Sequence, residues 1–262
     1  MFIWIIQDSK GLHYNWIELS NAIKKVKSRY IFCEKEKVKE FKLNVNEFPI
    51  IIGGDDFLEE AEKNRNLKKG IFKDNSFFNV ISYRNIWKDA YLNNKNHLIS
   101  SEELKTELEK ENLFVRPVMD SKCFDGQIVT KLELEHILDK CILCNNNGSK
   151  CICISPVKPI YKEWRVVIIN NKCITICRYL KNGKKEVSES DVSEKLILFC
   201  RKACACCNNA PIAWIMDVAK VENKFYVLEC NIFNASNFYN CDRTQIVIEL
   251  EKALSVIKLN DL

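Results

Sequence analysis

The chain has 262 residues, of which 47% are hydrophobic and 29% are charged, and this composition is typical of a globular, soluble protein with a sizeable core. Its 40 basic and 35 acidic residues are mixed along the chain and leave a net charge of +5, which permits a phosphate-bearing ligand but does not require nucleic acid. The apolar run 2–6 is too short for a membrane span or a signal-peptide core, so we expect a cytoplasmic protein with no membrane partner.

Residues 1–110 are predicted to form a small α/β domain. Three strands are predicted from the apolar runs 2–6, 30–33 and 48–52. Three helices are predicted from the spacing of Trp16 to Val26, from the acidic start at Asp55 through Asn64, and from the Ser100/Glu103 capping pattern through Glu111. The alternation predicts a small parallel sheet with helices on its faces, whereas residues 71–99 are aromatic-rich and give no regular pattern.

Residues 111–262 are predicted to form a second domain that carries the chemistry. A short strand at 113–117 presents Arg116, and the polar loop that follows presents Lys122. An arginine on a strand and a lysine on a mobile loop can neutralise a polyphosphate from two sides, although a surface loop with ordinary basic residues is the simpler alternative. The chain contains no Walker A motif, no G-x-G-x-x-G and no nucleophile elbow beside its three histidines.

The middle of this domain contains a helix predicted at 131–144 and a strand predicted at 151–155 that breaks at Pro156. The prolines at 156 and 159 leave backbone groups unpaired, as in a segment that hydrogen-bonds an adenine edge, and a plain interstrand loop explains them equally well. Two further strands, 166–169 and 173–177, are joined at Asn170-Asn171. They are predicted to place Arg165 and Arg178 on paired strands.

A hairpin is predicted at 212–228, with its turn at Glu222-Asn223-Lys224. Asp217 lies near the end of its first strand, and Glu229 and Asn231 follow its second strand on one face. Two carboxylates and an amide form a hard oxygen site of the kind that holds Mg²⁺ with substrate phosphates, and a solvated cross-strand trio is the alternative. Helices predicted at 191–206 and 243–258 pack behind the sheet.

Fourteen cysteines leave two interpretations open. The candidates for structural zinc are Cys141, Cys144, Cys151 and Cys153, and a second group of Cys200, Cys204, Cys206 and Cys207. However, Cys151 and Cys153 alternate with isoleucines as on a strand, and three cysteines of the second group share one helical face. We therefore favour reduced thiols that fill the core, and we expect no disulfide framework.

Taken in order, these motifs resemble the ATP-grasp superfamily. The pattern runs F-V-R-P, D-S-K-x-F-x-G, S-P-V, E-W-R, R-Y, M-D-V and L-E-C-N-x-F-N-A-S-x-F-Y, over roughly residues 110–245. Within the superfamily the chain is most similar to the clade named for two arginines and one lysine. The resemblance implies an α/β ATP-grasp fold of two α+β lobes with a hinge near 154–160, preceded by a pre-ATP-grasp-like domain at 1–110.

The resemblance also implies roles for individual residues. ATP would contact Arg116, Lys122, Ser155, Pro156, Val157, Glu163 and Arg165; magnesium would be held by Asp217, Glu229 and Asn231; Arg165, Lys122 and Arg178 would be catalytic; the substrate would meet Tyr179, Asn234, Ser236 and Tyr239. The chain departs from the commoner pattern in having arginine at 116, where most members carry lysine, and a single glycine, Gly126, in the phosphate-covering loop.

The implied reaction is ligation driven by Mg²⁺ and ATP, in which a carboxylate of a small molecule or peptide becomes an acyl phosphate and is joined to an amine. A kinase that stops at phosphoryl transfer is the alternative, as is a non-catalytic nucleotide- or nucleic-acid-binding module. The basic patches that favour the last, such as Lys68-Lys69, are scattered and are simpler to interpret as solvated faces. We expect Asp217→Ala and Glu229→Ala to abolish ATP turnover and to leave the fold intact.

Overall fold

The computed structural model describes residues 1–8, 14–108, 111–118, 124–133, 136–137, 139 and 152–260. Its strands are β1 (Phe2–Gln7), β2 (Arg29–Cys33), β3 (Phe48–Ile52), β4 (His97–Ile99), β5 (Leu113–Pro117), β6 (Gln127–Val129), β7 (Ile152–Pro156), β8 (Ile160–Ile169), β9 (Lys172–Lys181), β10 (Lys184–Ser188), β11 (Ala213–Val221) and β12 (Lys224–Ile232). Its α-helices are α1 (Tyr14–Lys25), α2 (Lys35–Val38), α3 (Asp55–Glu62), α4 (Arg65–Lys68), α5 (Val80–Trp87), α6 (Ser101–Leu108), α7 (Glu194–Ala205) and α8 (Arg243–Asn260). None of these helices is both long and apolar enough to cross a membrane.

The first sheet is parallel, in the order β2-β1-β3, as the sequence predicts. Its central strand is buried on both faces, because a parallel sheet is covered by helices on either side. Ile3 and Ile5 pack towards α2 and α3, whereas Trp4 and Ile6 pack towards α1 and α8. The Trp4 indole also donates a hydrogen bond of 2.8 Å to Glu251 on α8, and this bond ties the first strand to the last helix.

The second sheet is antiparallel, in the order β4-β7-β5-β6. The predicted capping box is present at α6, where Ser100 and Glu103 exchange hydrogen bonds of 2.8 and 3.2 Å. The sequence did not predict α5 or β4, which lie in the aromatic-rich stretch. Most of the helix predicted at 131–144 lies outside the described residues. Since β4 pairs with β7, the second sheet draws on both sides of residue 110, and the domain boundary there stays a prediction.

The third sheet is antiparallel and has five strands, in the order β10-β9-β8-β11-β12. Asn170 and Asn171 form the turn between β8 and β9 with φ values of 49° and 55°, the left-handed pair that a tight hairpin requires. One face of the sheet packs on α1, α8 and the first sheet. The other face packs on α5 and α7. Two layers of packing therefore hold the strands that carry the predicted site.

The described cysteines include several that are buried as core thiols. Cys200, Cys204 and Cys207 belong to the core that covers α7, and Cys153 is buried on β7. Cys206 is exposed. Three other zinc candidates, Cys141, Cys144 and Cys151, lie outside the described residues.

Candidate functional site

The predicted carboxylates meet Arg165 in one row across the third sheet. Arg165 on β8 pairs with Asp217 on β11, which pairs with Glu229 on β12. Paired residues on neighbouring strands point to the same face, so the three side chains converge. Asn231 lies two residues beyond Glu229 and faces the same side. A register shift after Asp217, with Leu228 as the extra residue of β12, bends the hairpin at this row.

Arg165 is the best-connected side chain of the site. Its Nε and Nη2 donate to the two oxygens of Asp217 at 3.0 and 2.8 Å, a bidentate pair. Its Nη1 donates at 2.7 Å to the carbonyl of Asn237, in the segment after β12. The guanidinium is therefore fixed from two directions, with its orientation set by protein groups.

Burial and the attraction between the two charges oppose each other in the Arg165–Asp217 pair. Asp217 is fully buried, and this burial raises the pKa of its carboxyl group; Glu229 acts in the same direction, and Arg165 opposes it. Burial alone would lower the pKa of Arg165, but the Asp217 carboxylate outweighs it and the net shift is upward. A fixed positive charge is thus held at the floor of the site.

Asp217, Glu229 and Asn231 fit the donor set of a magnesium ion. The Asn231 amide nitrogen lies 3.2 Å from Asp217 Oδ2 and 3.4 Å from Glu229 Oε1, so the three side chains share one small volume. Rotation of the amide presents its oxygen at the same position, and the set then offers two carboxylates and one amide oxygen. Hard oxygen ligands in this number suit Mg²⁺, which fills its remaining positions with water and phosphate.

Arg116 reaches the same site from the second sheet. Its Nη1 lies 3.4 Å from Glu229 Oε2, and this ion pair bridges β5 and β12. Between the two sheets lies a cavity of about 560 Å³ whose lining includes Arg116, Glu163, Arg165, Asp217, Glu229 and Asn231. Lys122 lies outside the described residues, but Phe124, Asp125 and Gly126, which follow it closely, line this cavity.

A smaller cavity of about 190 Å³ adjoins the first and is mostly apolar. The two cavities share Phe114, Gly126, Ile160 and Leu228 in their walls. Pro156 and Val157 of the predicted hinge line the smaller one, with Lys158 beside them. An apolar pocket that opens into a basic and acidic one has the form expected for a purine base and its phosphates.

Ser155 belongs to the same predicted hinge and is buried. Its hydroxyl donates to Asn93 Oδ1 at 3.1 Å, and Lys158 Nζ donates to the same oxygen at 3.2 Å. Burial lowers the pKa of Lys158, and Lys95 acts in the same direction. Asn93 and Lys158, which the sequence argument did not select, thus form part of the wall. Lys158 could have been found from its place between two prolines, whereas nothing in the local sequence marks Asn93.

Tyr179 and Tyr239 form an aromatic part of the wall of the larger cavity. Their rings stack with centroids 5.0 Å apart and planes at 4°, and Arg165 lies 5.4 and 4.9 Å from the two centroids. The Tyr179 hydroxyl donates to Glu163 at 2.5 Å, and burial raises the pKa of Glu163, an effect that this hydrogen bond opposes. Tyr239 has a φ of 46°, a left-handed conformation that is costly for an aromatic residue.

Besides Ser155, three predicted residues line neither of the two cavities. Arg178 lies opposite Trp164 in the register and forms ion pairs of 2.8 and 2.7 Å with Glu186 and Asp191. Asn234 is fully buried, and Ser236 donates to the carbonyl of Ile232 at 2.7 Å. The amide of Asn234 receives a bond from Phe72 N at 2.7 Å and donates to the carbonyls of Ile51 and Gly70 at 2.6 and 2.9 Å.

Several solved structures share this fold across nearly the whole chain. The D-cycloserine synthetase DcsG is 12% identical with a TM-score of 0.64, over 97% of this chain and 100% of that one. The ATP-grasp ligase PsnB, complexed with minimal precursor, Mg and ADP, is 10% identical with a TM-score of 0.60, over 97% and 98%. A D-alanine–D-alanine ligase from Bacillus anthracis complexed with ATP is 16% identical with a TM-score of 0.58, over 99% of both chains. At these identities the likeness establishes the fold.

No curated protein matches the chain. The second family of ATP-grasp domains in the clade named for two arginines and one lysine matches residues 83–248, which is more than half of the sequence. This range includes the row of Arg165, Asp217 and Glu229 and both cavities. The predicted fold class and family are thereby confirmed. The chain belongs to this family of ATP-grasp domains.

Proposed function

We propose that the chain is a ligase that uses Mg²⁺ and ATP to activate a substrate carboxylate as an acyl phosphate and joins it to an amine. The observation that carries the proposal is the convergence of Asp217, Glu229 and Asn231 with two arginines from different sheets around one cavity. The adjoining apolar cavity at Pro156 and Val157 supports a site for adenine. The ATP-grasp ligase fold is consistent with this reaction.

In the proposed reaction the chain supplies position and charge. Arg116 and Arg165 bind the phosphates, and Arg165 neutralises charge that develops on the transferred group. Lys122 is proposed to cover the phosphates from its loop. Magnesium, when bound by Asp217, Glu229 and Asn231, supplies further neutralisation of phosphate charge. Tyr179 and Tyr239 are proposed to hold the substrate beside Arg165, so that its carboxylate attacks the terminal phosphate.

The proposal is tested by measuring phosphate release with ATP, Mg²⁺ and a panel of amino acids and carboxylate-bearing peptides. A ligase forms ADP, free phosphate and a new amide, and release depends on both a carboxylate and an amine. A stable phosphoester in place of the amide would identify a kinase. The absence of ATP-dependent product with every substrate in the panel, in a protein that binds nucleotide, would count against catalysis.

Glu229→Gln is the variant that tests the metal site most directly. Glu229 is about one-third exposed, so its replacement perturbs packing little. We expect turnover to fall about 100-fold or more, because even outer-shell changes at metal sites cost roughly 10- to 100-fold. Glu186→Gln is the matched control, since Glu186 pairs with Arg178 away from the cavity. Equal activity of the two variants would contradict the assignment of Glu229.

A further inference from the structure

Two buried thiols meet behind the wall of the cavity. Cys177 on β9 and Cys241, just before α8, have their sulfur atoms 3.3 Å apart although 64 residues separate them in the chain. Their exposed fractions are 0% and 2%. Neither residue has a part in the reaction proposed above.

The thiol pair, Cys177 and Cys241, lies close in sequence to the stacked rings of Tyr179 and Tyr239. Cys177 lies two residues before Tyr179, and Cys241 lies two residues after Tyr239. Cys241 Sγ also lies 3.7 Å from the carbonyl of Arg165, and Cys177 Sγ lies 3.8 Å from the carbonyl of Phe238. The pair therefore joins β9 to the segment that positions Tyr239.

A small oxidant has a route to this pair. Cys241 borders a third cavity of about 760 Å³, which is polar, shares no lining residue with the two cavities described above and is lined also by Glu18, Lys25 and Arg243. Hydrogen peroxide is only slightly larger than water. The hydrogen bond from Cys241 lowers the pKa of Cys177 and outweighs burial, which raises it; Arg165 acts with the hydrogen bond.

We propose that Cys177 and Cys241 form a reversible oxidative modification site. Hydrogen peroxide oxidises them to a disulfide that links β9 to the segment 239–241. One thiol is first oxidised to a sulfenic acid while the peroxide is reduced to one molecule of water. The second thiol then attacks this sulfur, a second water leaves, and the S–S bond forms. Two thiols are oxidised and one peroxide is reduced to two waters. A dithiol reductant reverses the step.

The disulfide draws β9 and the segment 239–241 together. Its S–S bond of about 2.05 Å is shorter than the thiol contact by about 1.2 Å. That shift falls two residues from each stacked tyrosine. Its effect on turnover rests on the proposed function, and we expect a fall of about tenfold, since an error of about 1 Å in positioning costs up to about 100-fold.

The experiment maps the bond in the wild-type chain. Protein reduced with dithiothreitol is treated with hydrogen peroxide, free thiols are alkylated, and the chain is cut with trypsin without reduction. The expected product joins peptides 173–178 and 225–243. Because these peptides also hold Cys173 and Cys230, fragment spectra or a Cys173→Ser/Cys230→Ser background assigns the bond. Recovery of Cys177 and Cys241 as alkylated thiols, or as separate oxidised acids, would overturn the proposal.

Activity measurements on cysteine variants treated with peroxide provide a second test. Cys177→Ser and Cys241→Ser each remove the link, and their activity should resist peroxide, whereas Cys206→Ser, at an exposed cysteine, should respond as wild type does. Dithiothreitol should restore the wild-type rate. If the Cys177–Cys241 disulfide is detected but turnover does not fall, the proposed effect of oxidation on activity is wrong. If the reduced protein turns over no substrate, the proposed ligase function fails and the mapped link alone decides this proposal.

Discussion

Asp217 serves two purposes in the site, because it holds Arg165 through both oxygens and faces the proposed magnesium position. Its burial separates these purposes from those of Glu229, which is partly exposed and pairs with Arg116. From the sequence alone we expected alanine at either position to leave the fold intact. The structure supports this expectation for Glu229 but not for Asp217, since an arginine buried without its partner is costly.

We therefore expect Asp217→Ala to destabilise the protein by about 3–5 kcal/mol, since Arg165 loses both of its carboxylate bonds. Urea denaturation measures the change in the free energy of unfolding. Glu229→Gln is the control and should change it by less than about 1 kcal/mol. A fully stable Asp217→Ala protein would show that Arg165 finds another partner.

Glu163 gives the site a pH signature. Because burial raises its pKa in the folded protein, the protonated carboxyl group stabilises the fold relative to the ionised one. This stabilisation is fully present below the pKa of glutamate in the unfolded chain, about 4.3, and is lost as the pH rises through the pKa of the folded protein. Glu163→Gln removes the titration and keeps a hydrogen-bond acceptor for Tyr179.

The expected result is a Tm difference between Glu163→Gln and wild type that moves in favour of the variant as the pH rises from about 4 to 7. Thermal melts of both proteins across this range measure it. Glu222→Gln, in the turn between β11 and β12, controls for the exchange of a glutamate for glutamine outside the site. A difference that stays constant would exclude a raised pKa for Glu163.

At the scale of elements, Asn234 connects the segment after β12 to the first sheet. Asn234→Ala should destabilise the protein by about 2–4 kcal/mol, since it leaves the buried Phe72 amide without its acceptor and removes a donor from the carbonyls of Ile51 and Gly70, of which Gly70 keeps the bond from Ile51 N. Asn240→Ala, at an exposed position in the same segment, is the control. A stable Asn234→Ala protein with a raised KM would instead support the substrate role that the family resemblance implies.

The sequence predicts elements where the pattern is local and fails where distant packing decides. The apolar runs 166–169 and 173–177 and the Asn170-Asn171 turn were sufficient to predict the hairpin of β8 and β9, although both strands are longer than predicted. The register shift between Val167 and Ile168 was not predictable, because bulges arise from the twist and pairing of the assembled sheet. Counted from the Asn170-Asn171 turn, this shift aligns Arg178 with Trp164 and not with Glu163, so Arg178 does not share the face of Arg165. The buried residues of helix α5, Val80, Tyr83 and Trp87, do have helical spacing. The helix has only eight residues, which is too short for this period to stand out within the aromatic-rich stretch.

At the scale of the whole molecule, the cavity lies between two sheets, so nucleotide binding should stabilise both. With Mg²⁺ and a non-hydrolysable ATP analogue at roughly 100 times Kd, we expect the Tm to rise by about 5–10 °C. Arg116→Gln should reduce this rise, because Arg116 brings the second sheet's charge to the site. Arg178 lies away from the cavity, so Arg178→Gln should keep the full rise in Tm. The rise of each variant is measured against the same variant without ligand. Loss of the rise in both variants would contradict this placement.

The convergence of the proposed magnesium ligands with Arg165 could be anticipated from residue type and spacing, since Asp217, Glu229 and Asn231 lie on or next to the predicted strands of one hairpin. The apolar walls of the two cavities could not be anticipated from the sequence. Phe114, Ile160 and Leu228 are ordinary apolar residues whose meeting depends on how two sheets face each other. Such long-range arrangements leave no periodic signal in the sequence.

The bond between Trp4 and Glu251, with the core that β1 shares with α8, has a consequence for folding kinetics. Its partners are 247 positions apart, so during synthesis the first strands emerge long before the helix that covers one of their faces. Contacts of such high sequence separation slow folding. We expect the first sheet to acquire hydrogen-exchange protection late in refolding, at the same time as α8, and after the local hairpins of the five-stranded sheet.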